Sequence, residues 1–293
     1  MPCSNPLTVL VTGANGQLGR ELAFLAAQTD AIHWQFADRT ALDLTNLEAI
    51  EPFVAKQRPD IIINCAAYTA VDKAEAEATL ADIINHQAVA RLAQSAKQCG
   101  ARLIHISTDY VFNGEQCRPY NETDATVPQS VYGSSKLAGE QAFIASSAAG
   151  IIVRTSWVYS AFGNNFVSTM SRLGRERDSL NVVSDQIGSP TWARDLAQAL
   201  INICLNNKLA DKQAEVYHYS NDGVCSWYDF AYSIMQLRSL ECALSPILTE
   251  QYPTPARRPH MSLLWKDKIK NDFGLAIPHW FTSLQQALPE FAE

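Results

Sequence analysis

This sequence predicts an α/β fold, a doubly wound parallel sheet with a smaller mixed α/β region, on three observations. Short apolar runs alternate with helical stretches through the first half, a glycine-rich turn stands at the first strand-to-helix junction, and the rhythm changes after about residue 158. The first strand is expected over 7–12, an apolar run, and the first helix over 17–28. A second strand follows over 33–37 and a second helix over 47–56. The run Asp-Ile-Ile-Ile-Asn over 60–64 reads as the third strand, with a longer helix over 79–99. Strands over 103–107 and 151–155 flank a helix over 132–146. Such alternation needs right-handed crossovers and gives a parallel sheet covered on both faces, so its strands are nearly continuous in apolar residues. Farther on, prolines gather at 246, 253, 255 and 259, and tryptophans stand at 192, 227, 265 and 280. The expected division is a sheet domain over 6–158, to which 194–218 returns, and a smaller region made of 159–193 and 219–293. A helix is expected over 193–204, and no clean linker marks the boundary, so the two parts interleave.

The chain has 293 residues, 47% hydrophobic and 18% charged, and 23 basic against 30 acidic residues give a net charge of −7. These figures fit an ordinary globular protein and exclude collagen-like, disordered and disulfide-scaffold classes. The acidic balance argues against a nucleic-acid partner, because phosphate binding needs a concentrated basic face. No apolar run approaches the roughly 18 residues of a membrane span. Residues 1–6 lack the basic and apolar regions of a secretory signal. Seven cysteines, at 3, 65, 99, 117, 204, 225 and 242, form no CxxC pair, which fits reduced thiols and a cytoplasmic location. The six histidines show no metal-ligand spacing.

The first strand runs into Thr12-Gly13-Ala14-Asn15-Gly16-Gln17-Leu18-Gly19, a GxxGxxG pattern. Glycines there let the backbone turn tightly and approach a pyrophosphate, while the helix behind offers free N–H groups and the positive end of its dipole. Gly13, Asn15, Gly16, Gln17 and Leu18 are therefore expected to touch a dinucleotide, which makes the sheet domain Rossmann-type. The competing reading is a tight structural turn. Asp38 ends the second strand, where an acid takes the ribose hydroxyls. Arg39 beside it suits a 2′-phosphate, which favours NADPH, with NADH as the alternative; the rival is a solvated surface arginine. Asp43 and Leu44 are expected under the adenine.

Tyr132-Gly133-Ser134-Ser135-Lys136 is a YxxxK pattern on an expected helix. The i, i+4 spacing puts both side chains on one face. A surface pair would look the same, so position decides. The helix follows the fourth strand, which ends in Ser107-Thr108-Asp109. Carboxyl ends of parallel strands share one edge with the glycine loop, and ligands bind there. Thr108, Tyr132 and Lys136 are therefore expected to converge on a nicotinamide. Reducing a ketone needs a hydride and a proton. A phenol with a pKa of about 10 is a poor acid–base partner at neutral pH, and a nearby ammonium lowers that value. Lys136 can also bond the nicotinamide ribose, and Thr108 can hold the carbonyl oxygen in line with the hydride.

Seven motifs together resemble the dTDP-4-dehydrorhamnose reductase family of extended short-chain dehydrogenases/reductases. They are TGANGQLG (12–19), NCAAYTAVDKAE (64–75), HISTDYVFNG (105–114), YGSSKLAGE (132–140), RTSWVY (154–159), DQIGSPT (185–191) and RRPHMS (257–262). The likeness runs from Val9 to about Leu288. It implies a Rossmann domain with a smaller substrate domain. It also implies NAD(P)H-dependent reduction of the C4 keto group of dTDP-4-dehydro-β-L-rhamnose to dTDP-L-rhamnose, a step in making surface polysaccharide. The family's catalytic Thr, Tyr and Lys fall on Thr108, Tyr132 and Lys136. By the same likeness Ala66, Ala67 and Tyr68 border the cofactor, and Val71 and Asp72 face the sugar. Trp157 contacts the substrate, and Asn165 belongs to a loop around it. Arg257 or Arg258 clamps the diphosphate, since guanidinium forks suit phosphate oxygens, with a surface salt bridge as the rival reading.

One departure matters. Some members of the family pair through a metal held by carboxylates, one just after the glycine loop and one just after the Pro-Thr motif. Glu21 fits the first position, but Arg194 stands at the second. No metal is expected, and the chain is expected to be a monomer or weak homodimer. Two rivals remain. One is another sugar-nucleotide reductase, epimerase or dehydratase on the same scaffold, although Thr108-Asp109-Tyr110 lacks the second carboxylate usual in dehydratases. The other is a non-catalytic regulatory subunit resembling the methionine adenosyltransferase β subunit, against which stand the intact Thr/Tyr/Lys set and full glycine loop.

Overall fold

Six strands form one parallel sheet: β1 (Leu7–Thr12), β2 (Ile32–Ala37), β3 (Ile61–Asn64), β4 (Arg102–Thr108), β5 (Gly150–Thr155) and β6 (Gln213–His218), numbering only this sheet. Their order is β6-β5-β4-β3-β1-β2. The computed structural model that shows this describes residues 6–291, so Cys3 and the rest of residues 1–5 lie outside the described residues. Successive side chains of a strand point to opposite faces. Val9, Val11, Ile61, Ile63, Ile104, Ile151 and Val153 thus share one core with helices α1 (Gln17–Ala26) and α6 (Ala193–Cys204). Leu10, Ile62, Leu103 and Ile152 share the other with α2 (Ile50–Gln57), α3 (Ala88–Cys99) and α4 (Val131–Ser146), through Val54, Leu92 and Phe143. Helices of eight or more residues are numbered.

From β1 the chain crosses to β2 on one side, and β3 then pairs on the other. The reversal opens a crevice at the carboxyl ends of β1 and β3, the place where such sheets bind ligands. The helix expected over 79–99 is interrupted. Ala78–Asp82 is α-helical, Ile83–Gln87 makes a π turn, and α3 follows. This extra residue in the turn directs Asn85 inward. Its amide accepts from Tyr68 N at 2.9 Å and donates to Tyr68 O at 3.1 Å and Ser135 Oγ at 3.0 Å.

The C-terminal region builds its own core from α5 (Phe166–Glu176), α7 (Trp227–Leu237) and α8 (Trp280–Ala287). Val167, Met170, Phe230, Ile234, Trp280 and Leu284 meet there. Only short strand pairs accompany it, the longest being Ser179–Val183 with Ala243–Ile247. Strand β6 completes the main sheet beside β5, and α6 packs on α1. Among the described residues no helix is long and apolar enough to cross a membrane.

Candidate active site

A cleft of about 540 Å³ opens at the carboxyl edge of the sheet. Its floor is the glycine loop. Gly13 has φ +70°, and a Cβ there would lie 2.6 Å from Ala66 N, so only glycine lets the two loops touch. Gly16 caps α1 without any side-chain hydrogen bond, and no acid occupies the first turn. That leaves the positive end of the helix open to an anion. Asn15, Gly16, Gln17, Leu18 and Ala67 line the cleft, whereas Gly13 and Ala66, in contact with each other, do not.

Asp38, Arg39 and Asp43 stand beyond the lining. Asp38 accepts from Asn15 Nδ2 at 3.0 Å and from the N–H groups of Thr40 and Ala41, both at 2.9 Å. These bonds, Ala41's foremost, hold its carboxyl below the usual range. Arg39 is 79% exposed, 3.4 Å from Asp43. Leu44 is buried in the core beneath. Tyr68 is outside the lining: it packs in the cluster of Ala74, Ala81 and Tyr132, and its hydroxyl donates to Glu77 at 2.6 Å.

The wall that carries Thr108, Tyr132 and Lys136 is made by the end of β4 and the start of α4. Ser130 caps α4 by accepting from Gly133 N at 3.1 Å. A Cβ on Gly133 would lie 2.3 Å from Tyr110 O, so glycine brings the helix hard against the Asp109–Val111 turn. Tyr132, Lys136 and Thr108 all line the cleft as expected from their spacing. Tyr110 meets the Tyr132 ring edge-on, with centroids 5.5 Å apart.

The electrostatics differ from the expectation that Lys136 lowers the Tyr132 phenol. Burial pushes Tyr132 up to about 12, opposed by a hydrogen bond to Thr108. Lys136 is buried, and its Nζ is taken up by Ile106 O at 2.7 Å and by His105 Nε2 at 3.3 Å. Burial brings Lys136 down to about 8. Thr108 Oγ1 lies 2.9 Å from Asp109 Oδ1. Burial pushes the Asp109 carboxyl up to about 7. A hydroxyl has one proton to donate, so the protonation of Asp109 decides whether Thr108 has it free.

Across the cleft stands Trp157, at φ +49°, a left-handed conformation costing about 1–3 kcal/mol in a non-glycine residue. Its ring stacks on Trp227 at 3.5 Å between centroids. Asn165 also lines this side, whereas Val71 lines the cleft beside Tyr132. Asn165 caps α5 and donates to Gln17 Oε1 at 3.0 Å, tying the smaller region to α1. The expected diphosphate clamp is not assembled, because both arginines are engaged by neighbouring acids and neither lines the cleft. Asp72 holds Arg258 with two contacts, at 3.0 and 2.8 Å. Arg257 reaches Glu115 at 3.3 Å and Gln129 at 3.1 Å. At the base of α1, Glu21 is fully buried, accepting from Ser160 Oγ at 2.6 Å and Arg194 Nε at 2.7 Å, and Arg194 also pairs with Glu290. Among the described residues no cluster of acids, histidines and cysteines could hold a metal.

Sequence reasoning missed His105, Ser107, Glu140, Arg154 and Trp227. Arg154 binds Glu140 at 2.9 and 2.6 Å, and Ser107 donates to Glu140 at 2.5 Å, all out of solvent. A signal existed. Period two puts His105 and Ser107 on the same strand face as Leu103, the face that α4 covers. Glu140 continues the Tyr132, Lys136 stripe by one more turn. The Trp157–Trp227 stack had none, as it depends on tertiary contact.

The cradle fits a dinucleotide: Gly16 on its lining, an uncapped α1, and a buried Thr155 hydroxyl on the wall with no hydrogen-bond partner among the described residues. A family model described as the RmlD substrate binding domain matches residues 7–293. The dTDP-4-dehydrorhamnose reductase of Escherichia coli strain K12 is 42% identical over 295 residues, covering 97% of this chain and 98% of that one. A dTDP-4-dehydrorhamnose reductase structure from Clostridium acetobutylicum is 40% identical with a TM-score of 0.91, covering 97% of this chain and 99% of the other. One from Bacillus anthracis, in complex with NADP, is 39% identical with a TM-score of 0.89, at 97% and 99% coverage.

Proposed function

The chain belongs to the RmlD substrate binding domain family, and from that premise we propose that its cleft uses NADPH to reduce the C4 keto group of dTDP-4-dehydro-β-L-rhamnose, giving dTDP-L-rhamnose. The observation that carries this reading is the near-full-length likeness to dTDP-4-dehydrorhamnose reductases in a chain whose Thr108, Tyr132 and Lys136 line one cleft. NADPH supplies the hydride when bound. The glycine loop, with Asn15, Gly16, Gln17 and Leu18, holds its pyrophosphate; Asp38 takes the ribose and Arg39 the 2′-phosphate.

Tyr132 gives its proton to the C4 oxygen. A phenol pushed up to about 12 stays protonated at neutral pH and so is loaded as an acid. Thr108 donates to the same oxygen when Asp109 is neutral, which fixes the carbonyl and favours the charge that develops on it. Lys136, as an ammonium, bonds the nicotinamide ribose and balances the phenolate left behind. Trp157 and Trp227 form a flat wall for the sugar. Arg258, once it leaves Asp72, reaches the diphosphate.

The sheet domain thus binds cofactor and the smaller region substrate. The protein acts in the cytoplasm as a monomer or weak homodimer, since Arg194 already supplies the cation that Glu21 and Glu290 share. The test is NADPH absorbance with dTDP-4-dehydrorhamnose generated in situ. Loss that depends on the sugar nucleotide is expected; no loss with that substrate rejects the assignment.

A further inference from the structure

A fully buried chain of polar side chains runs from the glycine-loop strand to the active-site lysine. Thr12, Asn64, His105 and Lys136 are each at most 1% exposed. Asn64 Oδ1 accepts from Thr12 Oγ1 at 2.6 Å and from the backbone N–H of Ala66 at 3.3 Å. An amide N–H can only donate, so Ala66 fixes which end of Asn64 is oxygen. The Asn64 amide nitrogen therefore faces His105 Nδ1, at 3.1 Å, and donates to it. A neutral imidazole carries one proton. With Nδ1 accepting, that proton sits on Nε2, which points at Lys136 Nζ from 3.3 Å. Nζ in turn donates to Ile106 O at 2.7 Å. A nitrogen that accepts from Nε2–H needs a lone pair, which an amine has and an ammonium lacks.

We propose that His105 is a positioning residue of the reduction: its Nε2–H parks the neutral form of Lys136 against β4 and turns the ammonium form out toward Tyr132 and the cofactor. The inference rests on the proposed reductase reading for its catalytic meaning, but not for its geometry. Burial and then the charge of Lys136 hold His105 well below its ordinary value, so the ring stays neutral. The titratable groups facing Lys136 are His105 on β4, Cys65 after β3, and Tyr132 and Glu140 on its own helix, the last neutralised by Arg154 of β5. Cys65 is held as the neutral thiol by its burial. Glu140, and Cys65 more weakly, pull Lys136 toward the ammonium, but burial prevails over both.

The experiment uses the ligand-free full chain, so it does not depend on turnover. Imidazole ¹⁵N spectra report the His105 tautomer, and lysine ¹³Cε shifts, assigned with Lys136→Met, report the Lys136 titration. The expected result is a proton on His105 Nε2 throughout the neutral range and a Lys136 midpoint of about 8. His105→Phe removes the donor and should raise that midpoint by about tenfold in proton concentration. Asn64→Asp presents an acceptor to Nδ1, inverts the tautomer and should raise it too. In the reductase assay the upper alkaline limb of kcat/KM, beyond the one set by Asp109 near 7, should move up with the midpoint, as a purely structural role would not make it do. A wild-type proton on Nδ1, or a midpoint at the ordinary lysine value of about 10.4, overturns the inference. If His105→Phe fails to fold, the wild-type spectra decide alone. Those spectra can succeed where the reductase assay fails, and the reverse, so the two readings fall separately.

Discussion

Along the sheet edge Ser107, Thr108, Lys136, Glu140 and Arg154 are buried, and each is held by hydrogen bonds: Ser107 and Arg154 to Glu140, Thr108 to Asp109, and Lys136 to Ile106 O and His105. On the opposite rim Arg257 is 57% exposed and Arg258 shares its two contacts with Asp72, itself 39% exposed. The edge has its groups locked by packing, and its electrostatics act in a dry, low-dielectric setting. In the proposed reading the rim would exchange the Asp72 carboxylate for a substrate phosphate. The edge is thus buried and the rim more exposed, a difference in packing that bears on how each would act.

That contrast can be broken most forcefully at Arg154. Arg154→Met leaves Glu140 buried without its cation and should lower unfolding free energy by about 3–5 kcal/mol in urea denaturation; the rim variant Asp72→Ala should change it by less than about 1 kcal/mol. Equal losses at both sites would erase the distinction. Tyr132→Phe should reduce kcat by about 10² or more with NADPH affinity unchanged, because it removes only the general acid; a near-wild-type kcat would take Tyr132 out of that role.

A subtler test is pH. The Asp109 carboxyl lies at about 7 in the folded protein, above its ordinary value of 3.8. The stability it contributes is therefore present below its unfolded value and is lost as pH rises through about 7. Over the same window the ionised carboxylate claims the Thr108 proton, so kcat/KM should fall several-fold; Asp109→Asn should remove that limb. An unchanged profile would free Thr108 from Asp109. Smallest of all, Asp72→Ala should lower KM for the sugar nucleotide a few-fold by releasing Arg258, and Arg39→Ala should raise KM for NADPH more than for NADH. An unchanged sugar-nucleotide KM would deny Arg258 its phosphate, and equal effects on the two cofactors would do the same for Arg39.

The sheet was legible because burial on both faces forces apolar strands, and because Gly13, at positive φ, and Gly19, hard against Gly13 O, mark a turn that other residues fit poorly. Tyr132 and Lys136 were legible from helical spacing alone once the edge they share with Thr108 was placed. What stayed hidden depends on pairing across the fold. His105 looks like a lone polar residue in an apolar strand until Asn64 and Lys136 flank it, and Arg258 looks like a free clamp until Asp72 appears beside it. The π turn at Ile83–Gln87 has no periodic signature, since it differs from an α-helix by one residue.

The central claim, that this cleft delivers a hydride to C4 of the sugar, is tested most directly with NADPH bearing deuterium at its transferring position and NMR of the product. The account predicts deuterium at C4 of dTDP-L-rhamnose, and almost none from Tyr132→Phe in the same time. Deuterium retained by a cofactor that the protein binds, with the keto sugar left unreduced, or deuterium at any other carbon, would contradict it.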